Sequence, residues 1–329
     1  MPFSFDSLIV PQPVVDQVMF RVSQKSPFIG SGVASLTNDA QGGGNFYARR
    51  VRDEDVTRAN VIDGVTSHSA TIVDAVRDFA PVLRRVRPRM VVDGAMAAEG
   101  RLSANPTEDV IAQSASYWQR EIDEALMSVV KALLDSSAGC LKDTHLKSIA
   151  TAAPPYVTLS YASVINAAAL AGDSIADYAA IVMHSKQWAD VQLENAAKSM
   201  FQPIGAGAPA PYLGALRVIV SDAVPTSGSG ASAKYTAVLL RPGALYVAVQ
   251  QALREFVVPD PSIPAVMISE SMHFAAGAEG CKWIDAGSNP ANSVLDDAAK
   301  WAKTAGTPTA DTDKRTIGLI ALTTNATSV

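Results

Sequence analysis

The apolar positions of this chain fall into three patterns, and each predicts a different kind of element. The longest is helical. Across "NPTEDVIAQSASYWQREIDEALMSVVKALLDSSAG", apolar residues from Val110 through Trp118, Ile122, Leu126 and Val130 to Leu134 recur at spacings of three and four. Asn105 reads as the N-cap, Pro106 as the first helical residue, Glu108 as a first-turn acid and Gly139 as the stop. The helix expected over about 106–135 is roughly 45 Å long at ~1.5 Å per residue. That length suits a spine better than a compact enzyme domain.

The second pattern is alternation. "NFYARRV" and "HSATIVDAV" alternate and are rich in strand formers, with the polar "RDEDVTRANVIDGVTS" between them. They predict an extended hairpin with too few apolar residues to bury itself, which must therefore rest on something else. The third pattern is short apolar runs bounded by turn residues. "AAIVM" predicts a buried strand, followed by a helix from Lys186 to about Met200 with Ser185 as its cap. Further strands are expected at Leu216–Ser221, Tyr235–Leu240 and Ala244–Gln250, with "TSGSGASA" a disordered loop between the first two. "PAVMISESMHFAAGAEGCKWID" predicts two strands about a glycine turn, and "KRTIGLIALTTN" a last strand. A helix over Tyr161–Leu170 stops near Gly172, where Asp173 caps a second short one, and "NPANSVLDDAAKWAK" is a short helix capped by Asn289. Four prolines in the first forty residues predict an extended arm with at most a short helix near Val14–Val22. "NDAQGGGNF" then reads as a flexible joint. Helices and strands mix without regular βαβ alternation, so the fold class is α+β.

Composition narrows the function. The chain has 329 residues, enough for one large domain or two modest ones, and 48% apolar with 18% charged residues marks a folded protein. A net charge of −5 argues against gripping nucleic acid through many phosphates. The two cysteines, Cys140 and Cys281, form no C-x-x-C and read as small buried apolar groups. The N-terminus lacks signal-peptide character, and no apolar stretch reaches ~18 residues, so a cytoplasmic protein is expected.

Charge is unevenly spread. Ten of the 16 arginines lie between Arg49 and Arg101, and no lysine occurs between Lys25 and Lys131. Eight acids share the arginine stretch. Either this is a solvated surface, or it is an ion-paired contact between subunits built on bidentate Arg–carboxylate pairs. The candidate contact residues are Arg49, Arg50, Arg52, Asp53, Glu54, Asp55 and Arg58.

Catalytic and cofactor patterns are weak. "GSGVAS" and "GAGAPA" are incomplete dinucleotide fingerprints outside the strand–turn–helix context such a site needs, and no P-loop occurs. No H-E-x-x-H or G-x-S-x-G is present, and no two of the four histidines stand at helical metal-binding spacing. No cofactor, metal ligand or catalytic residue is assigned. The pair His184–Ser185 leaves two readings: a hydrolase site completed by a distant acid, or a helix cap, and the cap explains more residues.

Five segments, in this order, resemble the major capsid proteins of tailed double-stranded DNA bacteriophages, with the Hong Kong 97-type capsid fold. "YWQREIDEALMSVVKALLDSSAG" resembles the family's spine helix, and "AGDSIADYAAIVMHSKQWADVQL" the entry to its axial domain. "YLGALRVIVSDAVP" and "YTAVLLRPGALYVAVQQ" are similar to that domain's strands, and "HFAAGAEGCKWIDAGSNPANSVLDDAAKW" to the return into the peripheral domain. The resemblance implies an N-terminal arm (1–40), an extended loop (41–76), a peripheral domain (77–160 and 256–329) and an axial domain (161–255). It implies self-assembly as homo-hexamers and homo-pentamers into an icosahedral head enclosing double-stranded DNA without sequence-specific contact. Portal, separate scaffolding and decoration proteins are the implied partners, and the virion, assembled in the host cytoplasm, is the implied location. With no lysine in the extended loop, no isopeptide crosslink is expected. Only about 40 residues of the sequence precede that loop, so a separate scaffolding protein, or none, is expected in place of a fused scaffolding segment. The alternatives are an encapsulin-type shell around protein cargo and a serine hydrolase using Ser185 and His184.

Overall fold

The structure, a computed structural model, describes residues 12–38, 46–52, 75–92, 106–197, 212–260, 265–287, 289–304 and 317–326. Over residues 12–38 the N-terminal segment is mostly helical, the expected short helix near Val14–Val22 extending at both ends. It forms α1 (Gln12–Lys25) and α2 (Pro27–Gly30), followed by β1 (Ala34–Asn38). Its prolines permit this because Pro13 lies in the first turn of α1 and Pro27 opens α2, where no intrahelical N–H is lost. Ser26 caps α2, its Oγ accepting the Ile29 N–H at 3.3 Å.

β2 (Phe46–Arg52) pairs antiparallel with the start of β3 (Ala75–Val92), from Phe46 opposite Pro81 to Arg52 opposite Ala75. Of the expected second strand only Ala75 and Val76 lie among the described residues, and both belong to β3. The joint at 39–45 and the hairpin connection at 53–74 lie outside the described residues. β3 is 18 residues long because it changes partners midway. From Val82 onward it pairs with β11 (Ala265–Ala278).

The long helix, α3 (Pro106–Leu133), starts at the expected proline and ends two residues early. The chain then turns tightly: Asp135 Oδ1 accepts the N–H groups of Ser137 and Ala138 at 2.8 and 2.9 Å. Gly139 is required here because a Cβ would lie 2.6 Å from the carbonyl oxygens of Leu133 and Asp135.

Next come α4 (Lys142–His145), β4 (Leu146–Ser148) and α5 (Tyr161–Ala168). A 3-10 stretch over Ala169–Asp177 is broken at Gly172, whose φ is 62°. β5 (Ala180–Met183), α6 (Ser185–Ala197), β6 (Tyr212–Leu213), β7 (Leu216–Val220), β8 (Thr226–Ser227) and β9 (Lys234–Leu240) follow. Part of "TSGSGASA" is thus ordered, Thr226 pairing with Tyr235. β10 (Leu245–Asp260) runs ten residues past its expected end, passing register shifts between Val249 and Arg254 that bulges absorb. β12 (Cys281–Trp283), α7 (Asn292–Leu295), β13 (Trp301–Lys303) and β14 (Leu319–Asn325) complete the described elements. The helix expected from Asn289 shrinks to α7 plus a 3-10 turn at Ala298–Lys300. Asn289 cannot cap it, because its φ of 51° is left-handed and Ala291 holds the cap position.

Among the described residues the strands form two large sheets and a β12–β13 pair. One sheet has the order β1-β10-β11-β3-β2, and the other β4-β14-β9-β5-β7-β6, with β8 beside β9. The second sheet is buried on both faces. Ala180, Val182, Val238, Leu240, Leu319 and Ala321 point into the main core with α1, α2 and α3. Their neighbours Ile181, Met183, Ala237, Leu239, Ile320 and Leu322 point into a second core under α5 and α6. That two-sided burial is why "AIVM", "AVLL" and "LIAL" are continuously apolar instead of alternating. The mixed architecture is the expected α+β class.

Candidate functional site

α3 is the element around which polar and charged groups gather. Its apolar face carries Trp118, Ile122, Leu126, Val129, Val130 and Leu133, all fully buried. Where that face meets β11 it encounters a carboxylate, Glu270, which is itself 1% exposed. Glu270 Oε2 accepts the Trp118 indole N–H at 2.9 Å, and Oε1 accepts the Ser114 hydroxyl. Arg87, opposite Glu270 in the β3–β11 register, brings a guanidinium nitrogen to 3.7 Å of Oε2. The same guanidinium lies 4.2 Å from the centre of the Tyr117 ring. Arg85, two residues earlier, donates to Asn289 Oδ1 (3.0 Å), the Pro290 carbonyl (2.9 Å) and Asn292 Oδ1 (2.8 Å), and lies 3.4 Å from Glu121. Part of the arginine stretch therefore braces the long helix within one subunit, a role the sequence reading did not assign. The one available signal was the carboxylate of Glu270 inside a strand whose other residues, His273 apart, are apolar or small.

The base of the hairpin is anchored through Asp78 on β3. Asp78 is fully buried; Oδ1 accepts the Thr304 hydroxyl at 2.6 Å and Oδ2 the Gly280 N–H at 3.1 Å. The register places Arg49 opposite Asp78, Arg50 opposite Arg77 and Arg52 opposite Ala75. The side chains of Arg49, Arg50 and Arg52, and the whole of Asp53, Glu54, Asp55 and Arg58, lie outside the described residues.

The N-terminal helices dock on α3 through a second buried carboxylate. Asp123 accepts the Ser26 hydroxyl at 2.7 Å and the Gln119 amide at 3.2 Å. Burial pushes its carboxyl up to about 6, against the lowering effect of these two hydrogen bonds. Beside it runs a groove of about 850 Å³ between Pro27, α3, the Val220–Thr226 turn and α7. Lys131 and Asp296 pair across it at 2.5 Å.

The pair His184–Ser185 resolves as a cap, but with the roles exchanged. His184 precedes α6, and its Nδ1 accepts the Lys186 N–H at 3.1 Å. Gln187 closes the motif by accepting the His184 N–H on Oε1 at 3.3 Å. Its Nε2 donates to the Tyr235 carbonyl and to Thr324 Oγ1 at 3.1 and 2.9 Å. Ser185 is the first helical residue; its N–H donates to Asp222 Oδ1 at 3.1 Å. Hydrogen bonds from the Ser185 hydroxyl and N–H hold the Asp222 carboxyl below its usual range. Ser185 Oγ lies 3.3 Å and Asp222 Oδ1 3.5 Å from this same His184 Nδ1, which already accepts the Lys186 amide proton. A triad needs serine and acid on opposite ring nitrogens, with histidine accepting from serine and donating to the acid.

Among the described residues no group of three or more His, Cys, Asp or Glu side chains is placed to hold a metal ion. No described helix is long and apolar enough to cross a membrane.

The model of the Gp13-like family, described as major capsid protein 13-like, matches residues 84–320. The fold is similar to the capsid of Ralstonia phage GP4, at 12% identity over 90% of this chain and 88% of that one, with a TM-score of 0.57. It is also similar to the head structure of Helicobacter pylori bacteriophage KHP40, at 11% identity over 92% of each chain and a TM-score of 0.55. A third likeness is to the capsid of cyanophage Pam1, at 12% identity over 90% and 89%, with a TM-score of 0.52. At such identities the likeness is one of fold. No curated protein sequence matches the chain.

Proposed function

Because the chain belongs to the major capsid protein 13-like family, we propose that it assembles as hexamers and pentamers into an icosahedral head around phage double-stranded DNA. The observation that carries this reading is the family match over 84–320, joined to a capsid-like fold that spans about nine-tenths of the chain. Residues 1–40 are the arm, 41–76 the extended loop, 77–160 with 256–329 the peripheral domain and 161–255 the axial domain. The extended loop lies across a neighbouring subunit. Arg49, Arg50, Arg52 and Arg58 exchange ion pairs there with acids of the neighbour, and Asp53, Glu54 and Asp55 with its bases.

A rigid platform for that loop is supported by the buried clasp of Asp78 with Gly280 and Thr304 at the hairpin base. A buried carboxylate with two donors resists the sideways load a neighbour places on a long hairpin. The net charge of −5 suits a wall that confines DNA without holding it. Subunits are assembled in the host cytoplasm with separate scaffolding and portal proteins. No isopeptide bond joins them, since the extended loop carries no lysine. Electron microscopy of the expressed protein, with nucleic-acid analysis of particles from infected cells, tests the reading. Closed icosahedral shells containing double-stranded DNA are expected; shells filled with a protein cargo, or a protein that never assembles, overturn it.

A further inference from the structure

The two cysteines of the chain, far apart in sequence, meet in the folded subunit. Cys140 lies in the turn that closes α3, where the Leu141 N–H reaches back to the Leu133 carbonyl at 3.0 Å. Cys281 opens β12, opposite Lys303 of β13. Cys281 is fully buried in the main core; Cys140 is half-buried and packs against the same cluster. Both are free thiols, and their side chains are hydrogen-bonded to each other.

We propose that Cys140 and Cys281 are a redox pair that a small disulfide, such as oxidised glutathione, converts into an intrachain disulfide. The half-buried Cys140 reacts first. Its thiolate attacks one sulfur of the reagent, breaks the reagent's S–S bond and expels one small thiol, leaving a mixed disulfide on Cys140. Cys281 then gives its proton to solvent and attacks the Cys140 sulfur, expelling the second small thiol. Two protein thiols lose two hydrogens and the reagent gains them. The order is imposed by burial, since no reagent reaches Cys281 directly. In the reduced pair the hydrogen bond to Cys140 and burial raise the Cys281 thiol well above its ordinary value; burial still acts once Cys140 carries the mixed disulfide, so the second step is the slow one and quickens as pH rises.

The bond would tie the end of α3 to the β12–β13 pair. Its formation rests on the fold alone; only its timing rests on the shell reading. In a reducing cytoplasm the pair stays open while subunits are still adjusting, and it closes after release into oxidising surroundings.

The test uses the full-length subunit, purified reduced and incubated with oxidised glutathione at mildly alkaline pH. Intact mass, thiol titration and peptide mapping are the readouts. The expected result is the loss of two hydrogens in mass, both thiols consumed and a Cys140–Cys281 peptide pair. The Cys281→Ser variant should hold one stable glutathione on Cys140, and the Cys140→Ser variant should stay unmodified. A wild-type protein that retains glutathione on Cys140, forms linked dimers or does not react overturns the proposal. The wild-type result decides even if a variant fails to fold, and it holds whether or not the protein forms shells.

Discussion

The indole N–H of Trp118 donates to Glu270 at 2.9 Å inside the seam between α3 and β11. This carboxylate ties the helix to the sheet through two donors, the Trp118 indole and the Ser114 hydroxyl, and through an ion pair with Arg87. Glu270→Ala strands the indole and hydroxyl donors and the Arg87 charge, and is expected to cost about 3–5 kcal/mol. Trp118→Phe removes one bond, keeps most of the packing and should cost about 1–2 kcal/mol. Urea unfolding of the unassembled subunit measures both. Equal costs would mean that the carboxylate is not what holds the seam.

Asp123 makes the docking of the N-terminal helices depend on pH. Its folded-state pKa of about 6 exceeds the ordinary carboxyl value of 3.8, so the folded state takes up a proton before the unfolded chain does. The resulting stabilisation is complete below about 3.8 and is lost as pH rises through about 6. By linkage it is worth about 3 kcal/mol. Asp123→Asn keeps an acceptor for Ser26 without the charge. It should stabilise the subunit at neutral pH and flatten the stability profile between those two values. A profile with the same slope in wild type and variant would place the titration elsewhere.

The cap at α6 predicts an order of effects opposite to that of a hydrolase. Gln187→Ala strands the His184 N–H and the Thr324 and Tyr235 partners, at an expected cost of about 2–3 kcal/mol. His184→Ala removes a cap, about 1 kcal/mol. Ser185→Ala touches only an exposed contact and should stay within about 0.5 kcal/mol. Thermal melting of the three variants checks the order; a Ser185 variant as damaged as the Gln187 one contradicts it.

Reversing the charges of Arg49, Arg50 and Arg52 together should abolish shell assembly while leaving the subunit folded, if the hairpin pairs with a neighbour. Sedimentation reads assembly and circular dichroism reads folding. Undiminished assembly would remove these residues from the interface.

Elements with local signals were legible in the sequence. Pro106 and the three-and-four spacing marked α3, and apolar runs marked β5 and β9 within a residue or two and the end of β14. What failed was chemistry settled by distant partners. Pro13 and Pro27 read as breakers until their places in first turns were known. Asn289 resembled a cap, yet it takes a left-handed φ and receives Arg84 and Arg85 across more than two hundred positions. Ser185 took the cap role that His184 holds, because histidine is an uncommon cap and only the ring's orientation reveals it. Glu270, Asp78 and Asp123 look like surface acids in one dimension; only the folded chain shows the donors around each.

β14 sits inside its sheet, between β4 and β9, with both faces covered. A ribosome delivers this strand after every other described strand of the subunit. Until residue 325 has emerged, β9 keeps an unpaired edge and the surfaces meant for Leu319–Leu322 stay open. The core therefore closes only after nearly all of this sequence has been made. A prematurely ended chain carries a bare strand edge, which invites aggregation or proteolysis. Strand order thus makes closure of the core depend on a strand made late, and a subunit cut short of it lacks a closed core.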